Sequence, residues 1–320
     1  MELTDDSSEN FLARNSVMAN NHEKCLLIYY TGTFNTKYVT GILKKRLEDA
    51  GVCVDVYEID PLNTERIDLS PYSLIGLGYP IYGYNAPWPF LKFINYQQFP
   101  EGVRTFIYKN SGETEHANDA SSLFVRRKLK RCKAVLQNEY HFLMPYNIHF
   151  RFDDNLVKEM LEMDEKLYDI LVYEVINRIP NIKRYKLWSC LVTIVVAIQF
   201  IGGDVNSFFY KVGKDKCVDC GLCIKRCPTK NIYKNKKGEI SFHHNCLMCM
   251  RCSFFCPTAA IDIGFLQGWK VNGRYDFDKI REIKLENPVI TKDTKGFFKC
   301  YIETYDYINS RYEELFGEKK

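Results

Sequence analysis

Thiols are the chemistry this sequence spells most plainly. Cys217, Cys220, Cys223 and Cys227 fall in the pattern C-x2-C-x2-C-x3-C-P, and Cys246, Cys249, Cys252 and Cys256 repeat it 29 residues later, with Pro228 and Pro257 closing the runs. Thiolates at this spacing suit the corners of a cubane iron–sulfur cluster, which takes up and returns one electron at a time. A tight loop can present only three of the four corners, so each cluster's last ligand must come from another segment. Zinc is the competing reading of so many thiols, but zinc sites use separated C-x2-C pairs rather than three cysteines in one short loop.

The other five of the 13 cysteines, Cys25, Cys53, Cys132, Cys190 and Cys300, have no partners at motif spacing, so they form no disulfide framework. Free thiols and cluster assembly both call for reducing conditions, and the N-terminus lacks the regions of a signal peptide, so a cytoplasmic location is expected. Residues 1–22 are polar and expected to be disordered. A net charge of +4 from 44 basic and 40 acidic residues supplies no global field that would demand nucleic acid or a membrane surface. With 320 residues, two domains are expected, and the cysteine repeat fills only a short part of the second half.

The elements that must position this chemistry begin with alternation in the first half. Cys25 to Tyr30, Val52 to Tyr57, Leu74 to Tyr79, Arg104 to Tyr108 and Val135 to Leu143 are apolar runs that read as strands. Helical periodicity separates them at Asn35 to Asp49, Phe90 to Tyr96 and Ala117 to Arg131. The expected fold class is α/β, a doubly wound five-stranded parallel sheet whose ligand belongs at the carboxyl ends of the strands, followed by a small α+β iron–sulfur domain. The first strand-to-helix loop carries Thr31, Gly32, Thr33, Asn35 and Thr36. Its hydroxyls, peptide N–H groups and helix N-terminus make a phosphate site without a cation, although the same residues also serve as caps and turn formers. Tyr79, Tyr82, Tyr84 and Trp88 crowd the turn after the third strand, where a planar aromatic could stack on a flat ligand. For Trp88, packing against the next helix is an equal alternative. His116, a lone loop histidine, reads as solvated.

The loop Thr31 to Thr36 is similar to the FMN-phosphate loop of flavodoxins, and the segments GLGYPIYGYNAPWPFLKFI, FIYKNSGETEHANDASS and FLMPYNIHFR continue the likeness in the right order. Joined to the cysteine repeat with its flanks NCLMCMRCSFFCPTAAIDIG and WKVNGRYDF, residues 25 to about 277 resemble the clostridial-type flavodoxin–ferredoxin fusion family. The resemblance implies a flavodoxin-like FMN domain, a bacterial-type ferredoxin with two 4Fe-4S clusters, and electron transfer between them. It also implies that Asn110, Ser111 and Gly112 bind the pyrimidine end of the flavin, and that Tyr82 and Tyr84, with Tyr79, contact the ring. From the two-cluster ferredoxins comes a crossed ligand set, Cys217, Cys220, Cys223 and Cys256 on one cluster, Cys246, Cys249, Cys252 and Cys227 on the other. One departure stands out: Phe34 occupies the place of a second glycine, and its ring must go to the phosphate pocket or to solvent.

The expected division is a tail over 1–22, the FMN domain over 23–150, a helical connector over 151–212, the ferredoxin over 213–264 and an extension over 265–320. In the connector, Asn155 to Ile179 reads as a helix capped by Asp153 or Asp154. The uncharged run Leu187 to Ile201 is too short to span a bilayer and is expected to be buried, with membrane contact the lesser reading. Within the ferredoxin, Ile232 to Lys234 and Ile240 to Phe242 predict a hairpin, with Ala259 to Ile263 pairing beside it. Lys225, Arg226, Lys230 and Arg251 read as a solvated basic face, and His243 and His244 as surface. The extension is expected to hold a helix through Tyr301 to Leu315 and no chemistry. The leading function is a carrier passing single electrons between clusters and flavin, to redox partner proteins the sequence does not identify. The competitors are a flavin-dependent reductase of an organic substrate and a ferredoxin on a flavin-free scaffold.

Overall fold

The computed structural model describes residues 23–63, 65–197 and 199–317, so the expectation for residues 1–22 lies outside the described residues. Strand β1 (Lys24–Tyr29) alternates its side chains between two cores. Cys25, Leu27 and Tyr29 face one, and Leu26 and Ile28 the other. Such a strand must sit inside a sheet covered on both faces. It does: β1 is paired on both sides, in the order β2-β1-β3-β4-β5, and every pairing is parallel. The others are β2 (Cys53–Glu58), β3 (Leu74–Pro80), β4 (Arg104–Ser111) and β5 (Val135–Leu143).

On one face lies α1 (Asn35–Asp49), whose Val39, Leu43 and Leu47 follow the four-residue ridge of a helix and are fully buried. Gly51, at φ 87, turns the chain back into β2. The opposite face is covered by α2 (Trp88–Tyr96) and α3 (Leu123–Arg131). The predicted helix from Ala117 is instead a 3-10 segment over His116–Ser122 leading into α3. Crossovers of this kind leave the carboxyl ends of β1, β3 and β4 open beside one another, where the sheet order reverses.

The connector begins with α4 (Asp154–Ile176), capped by Asp153, whose carboxylate accepts from the N–H of Asn155 at 2.9 Å. It packs beside α1, with Arg46 bridging to Glu165 and Asp169 at 2.6 and 2.5 Å. Two helices follow, α5 (Leu187–Val196) and α6 (Gln199–Ser207). Burial of the run Leu187 to Ile201 is not what α5 shows: its Leu187, Trp188, Leu191, Ile194 and Val195 are exposed, while the side chains of 198–201 lie outside the described residues.

The cysteine-rich domain is built from β6 (Tyr210–Val212), α7 (Leu222–Arg226), β7 (Ile232–Lys234), β8 (Ile240–Phe242), α8 (Arg251–Phe254) and β9 (Ile261–Ile263). The hairpin β7–β8 has the predicted strands. The segment Ala259 to Ile263, however, pairs not with the hairpin but with β6, as an antiparallel ladder from Tyr210↔Ile263 to Val212↔Ile261. The strand before the first cysteine run thus meets the strand after the second, which closes the domain on itself. After α9 (Phe277–Arg281), the final helix α10 (Cys300–Phe316) lies on α4 with Tyr301, Tyr305 and Ile308 buried. Arg311 Nε donates to the fully buried Glu174 at 2.7 Å, and Tyr140 Oη donates to the same carboxylate at 2.5 Å. The extension is therefore a second layer over the first domain. No helix among the described residues is long and apolar enough to cross a membrane.

Candidate redox site

The two cysteine loops are conformational copies. In the first, Asp219 and Gly221 are left-handed at φ 51 and 69; in the second, Met248 and Met250 take the same places at φ 49 and 58. Lys230 and Ala259, each three residues after the cysteine that precedes the proline, both have φ 53. Left-handed residues in a tight loop turn successive N–H groups inward, a concavity suited to an anion. Those groups reach the sulfurs: Asn231 N donates to Cys227 Sγ and Ala260 N to Cys256 Sγ, both at 3.2 Å, and Met248 N to Cys246 Sγ at 3.4 Å. Donors to thiolate are a lever on cluster potential.

The runs also interlock. The thiol of Cys227 is an electrostatic neighbour of Cys246, Cys249 and Cys252, while Cys223 has Cys256 and Cys217 as its neighbours. Cys227, Cys246, Cys249 and Cys252 line one small cavity with Tyr210, Ile232 and Phe242. Burial pushes Cys246 up to about 12 and raises Cys249 and Cys252 as well. Cys256 differs: burial would raise it, but N–H groups of Thr258 and Ala260 outweigh that and hold it below its usual value. Cys220 is exposed, so the first loop faces outward and the second inward. Among the described residues no three His, Cys, Asp or Glu side chains close on a single ion position; a cubane holds its four thiolates further apart, at its corners.

A cavity of about 670 Å³ opens beside the inner loop. Its walls are the ends of β1, β3, β4 and β5 on one side and Cys246, Leu247, Met248 and Met250 on the other. Ten of the residues that the resemblance and the loop chemistry assign to the cofactor line it: Thr31, Gly32, Thr33, Asn35, Thr36, Tyr82, Tyr84, Asn110, Ser111 and Gly112. Tyr79 does not. Its ring sits in the core against Phe90 at 4.8 Å, because strand alternation sends it to the face under α2. Trp88 lines the cavity and is half exposed. His116 sits outside the cavity lining, beside Asp119 at 3.2 Å, and His243 and His244 are exposed as expected.

Within the Thr31 to Thr36 loop the donors are already divided. Thr31 Oγ1 is buried without a hydrogen-bond partner in the protein. Thr33 Oγ1 accepts from Asn147 Nδ2 at 2.9 Å and keeps its own proton to give. Thr36 Oγ1 instead donates to Asn110 Oδ1 at 2.7 Å, tying the first loop to the third, and Asn35 Nδ2 donates to the Pro145 carbonyl at 2.9 Å. An orphaned buried hydroxyl and a second hydroxyl with a proton to spare fit a phosphate at the start of α1. A Cβ on Gly32 would strike the Tyr82 hydroxyl, which explains the glycine at that point.

Phe34 takes the glycine conformation, φ 74 and ψ 0, as the residue before α1. Its ring goes neither into the cavity nor to solvent. It lies against Phe255 at 5.4 Å and under the Arg251 guanidinium at 4.8 Å. Arg251 is likewise no solvated residue: it donates to the carbonyls of Gly32 at 2.5 Å and Thr31 at 2.7 Å. Aromatic and cation–π contact offset the backbone cost of the left-handed turn. The departure from the expected spelling is thus an interface residue, holding the phosphate-type loop to the second cysteine loop.

Sequence reasoning missed the groups that the loop after β5 brings in, Tyr146, Asn147 and His149, although the segment FLMPYNIHFR already carried the resemblance. It also missed Glu113. Tyr146 Oη donates to Glu113 Oε2 at 2.8 Å and Asn118 Nδ2 donates to Oε1. Burial nevertheless pushes this carboxyl up to about 7, so a titrating acid lines the cavity. The Tyr146 ring lies where a Cβ on Gly112 would be, which fixes glycine there.

A 4Fe-4S binding domain model matches residues 210–233, the stretch around the first cysteine run. Pyruvate synthase subunit PorD of Methanothermobacter marburgensis is 39% identical over 59 residues, which span 18% of this chain and 69% of that protein. Among solved structures, a flavodoxin from the domain Archaea is similar over 48% of this chain and 99% of its own, at 14% identity and a TM-score of 0.33. Oxidised flavodoxin 1 from Bacillus cereus is similar over 45% and 95%, at 16% identity and a TM-score of 0.32. The cysteine-rich domain is a 4Fe-4S ferredoxin, and it follows a parallel sheet of order 2-1-3-4-5, the flavodoxin-like order. This is an electron-transfer protein, and its cysteine-rich domain belongs to the 4Fe-4S ferredoxin family.

Proposed function

We propose that the chain is a two-module electron carrier that binds FMN in the 670 Å³ cavity and two 4Fe-4S clusters in the crossed cysteine sets. The observation that carries the reading is the shared wall: the cavity is lined at once by the Thr31–Thr36 loop and by the inner cysteine loop from Cys246 to Met250. FMN bound there would exchange one or two electrons, and each cubane one. Thr31, Thr33 and the N-terminus of α1 would hold the phosphate, Tyr84 and Trp88 would flank the ring, and Asn110 to Gly112 would meet its polar edge. Glu113 would hold or give up a proton beside that edge. Cys217, Cys220, Cys223 and Cys256 would close the outer site, and Cys227, Cys246, Cys249 and Cys252 the inner one. The outer site's exposed Cys220 faces solvent, where a redox partner protein can approach. Reducing conditions for these thiols point to the cytoplasm.

The test is the absorption spectrum of anaerobically purified protein with iron, sulfide and flavin counted. About eight irons per chain and one FMN support the carrier. Iron without flavin, even after titration of the apoprotein with FMN, would leave only the ferredoxin. Thr31→Ala and Thr33→Ala should each weaken FMN binding about tenfold, the worth of a charge-assisted hydrogen bond.

A further inference from the structure

Helix α5 is amphipathic the wrong way round for a helix packed on a water-soluble domain. Its two fully buried residues are polar, Ser189 and Thr193, one turn apart on the inner face. Thr193 Oγ1 donates to the Tyr84 carbonyl at 3.1 Å, and Asn85 Nδ2 donates to the Thr193 carbonyl at 3.0 Å. Its outer face is apolar: Leu187 is 80% exposed, Val195 70% and Leu191 56%, with Trp188 and Ile194 beside them. These positions follow the i, i+4, i+7 spacing of one helical stripe. Solvation of such a stripe is unfavourable, so something covers it when the protein works.

Charge says what. Lys183, Arg184 and Lys186 stand directly before the helix, and no acidic residue occurs between Ile182 and Ala197. Lys183 is held by Asp119 at 3.0 Å; Arg184 and Lys186 are exposed. A basic cluster leading into an aliphatic stripe, with Trp188 at the junction, is the arrangement that suits an anionic lipid surface, phosphates on the cations and acyl chains on the stripe. Ten residues of helix are about 15 Å long, so the element lies in the interface rather than crossing it. A second apolar group is exposed, Val205 on α6, Phe208 and Phe209 just after it, and Phe265 on the turn after β9. Both regions border the cavity, through Tyr84 and Gly203.

We propose that α5 is a monotopic membrane contact, which seats its Leu187, Leu191, Ile194 and Val195 stripe in the boundary of an anionic bilayer and sets the mouth of the cavity next to it. The inference does not depend on which cofactor fills the cavity. The test is sedimentation of the intact, cluster-loaded chain with vesicles of phosphatidylcholine, with and without phosphatidylglycerol. Binding should require the anionic lipid and weaken with salt. Leu191→Glu and Val195→Glu should each lower it about tenfold or more by placing a charge in the stripe, and Arg184→Glu with Lys186→Glu should do the same on anionic vesicles. All of these side chains are exposed, so cluster absorbance should be unchanged and reports that the variants are folded. Acyl-chain bromination should quench tryptophan fluorescence in the wild type and much less in Trp188→Phe. A wild type that stays in solution with both vesicles, or variants that bind as well as it does, overturns the proposal. Concentration-dependent dimers that Leu191→Glu dissolves, without vesicle binding, would also overturn it and give the face to a second copy of the chain.

Discussion

At the scale of single residues, Arg251 and Phe34 form one device. The guanidinium satisfies two carbonyls of the loop that starts α1, while its face covers the Phe34 ring. Arg251→Ala removes a charged donor from two partly buried acceptors and should lower stability by about 2 kcal/mol. Phe34→Gly loses ring contacts worth about 1 kcal/mol but relieves a left-handed backbone of similar cost, so its effect should be near zero. Anaerobic thermal melting of the two variants checks the ranking, and a larger loss for Phe34→Gly would refute it. Glu113 makes a different prediction. Its folded value of about 7 lies above the ordinary carboxyl value because burial disfavours the charge. The folded state therefore holds a proton that the unfolded chain has released, and stability falls as pH rises from about 4.5 to about 7. His141, buried and held well below its usual value by desolvation, acts in the opposite sense, losing stability as pH falls below about 6.5. The difference between wild type and Glu113→Gln isolates the carboxyl: melting of the wild type relative to the variant should decline across pH 5 to about 7. Parallel curves would mean that Glu113 is ionised throughout.

At the scale of elements, the crossing of the cysteine runs can be read out by pairs of variants. If Cys227 belongs with Cys246, Cys249 and Cys252, then Cys227→Ala alone and Cys227→Ala with Cys246→Ala should both fall to about four irons per chain. Cys227→Ala with Cys217→Ala should lose both clusters. The reverse pattern, with Cys217 silent on top of Cys227, would break the assignment. Much of this was legible beforehand because local signals and tertiary roles coincide: the β1 run, the α1 ridge, the Asp153 cap and the hairpin strands all stand where pattern puts them. The misses fall where partner choice is non-local. Ala259 to Ile263 has strand character, but only closure of the domain sends it to Tyr210–Val212. Tyr79 was one alternation away from the cavity. The run from Leu187 was expected inside because apolar residues usually are, and nothing local reveals that Ser189 and Thr193 would claim the inner face of α5. Tyr301, whose hydroxyl donates to the Gly112 carbonyl, likewise shows that α10 steadies a cavity loop from the far end of the chain.

At the scale of the whole molecule, the cavity lies where two modules meet. Gly32 lies against the Cys249 carbonyl, 3.2 Å from where its own Cβ would stand, and Gly203 would collide with the Cys246 carbonyl if it carried one. Residues of both modules wall the space. A ligand in the cavity and a cluster in the inner site therefore share a wall, and any order the cluster imposes on residues 246–250 is order the ligand need not supply. Such coupling is reciprocal: whatever factor the inner cluster adds to ligand affinity, the ligand adds to cluster retention. Cys227→Ala, which should empty the inner site without touching the Thr31 to Thr36 loop, should weaken FMN binding at least about fivefold, the lower end of ordinary coupling energies. Conversely, saturating FMN should slow the loss of inner-site iron to a chelator in the wild type, and Cys256→Ala, aimed at the outer site, should leave FMN affinity nearly unchanged. Fluorescence titration with apoprotein reads the first effect and timed iron release the second. Equal FMN affinity in Cys227→Ala and wild type, with iron release indifferent to FMN, would show two modules that merely touch; a loss shared by Cys256→Ala would show that the domain moves as one block rather than through the inner loop.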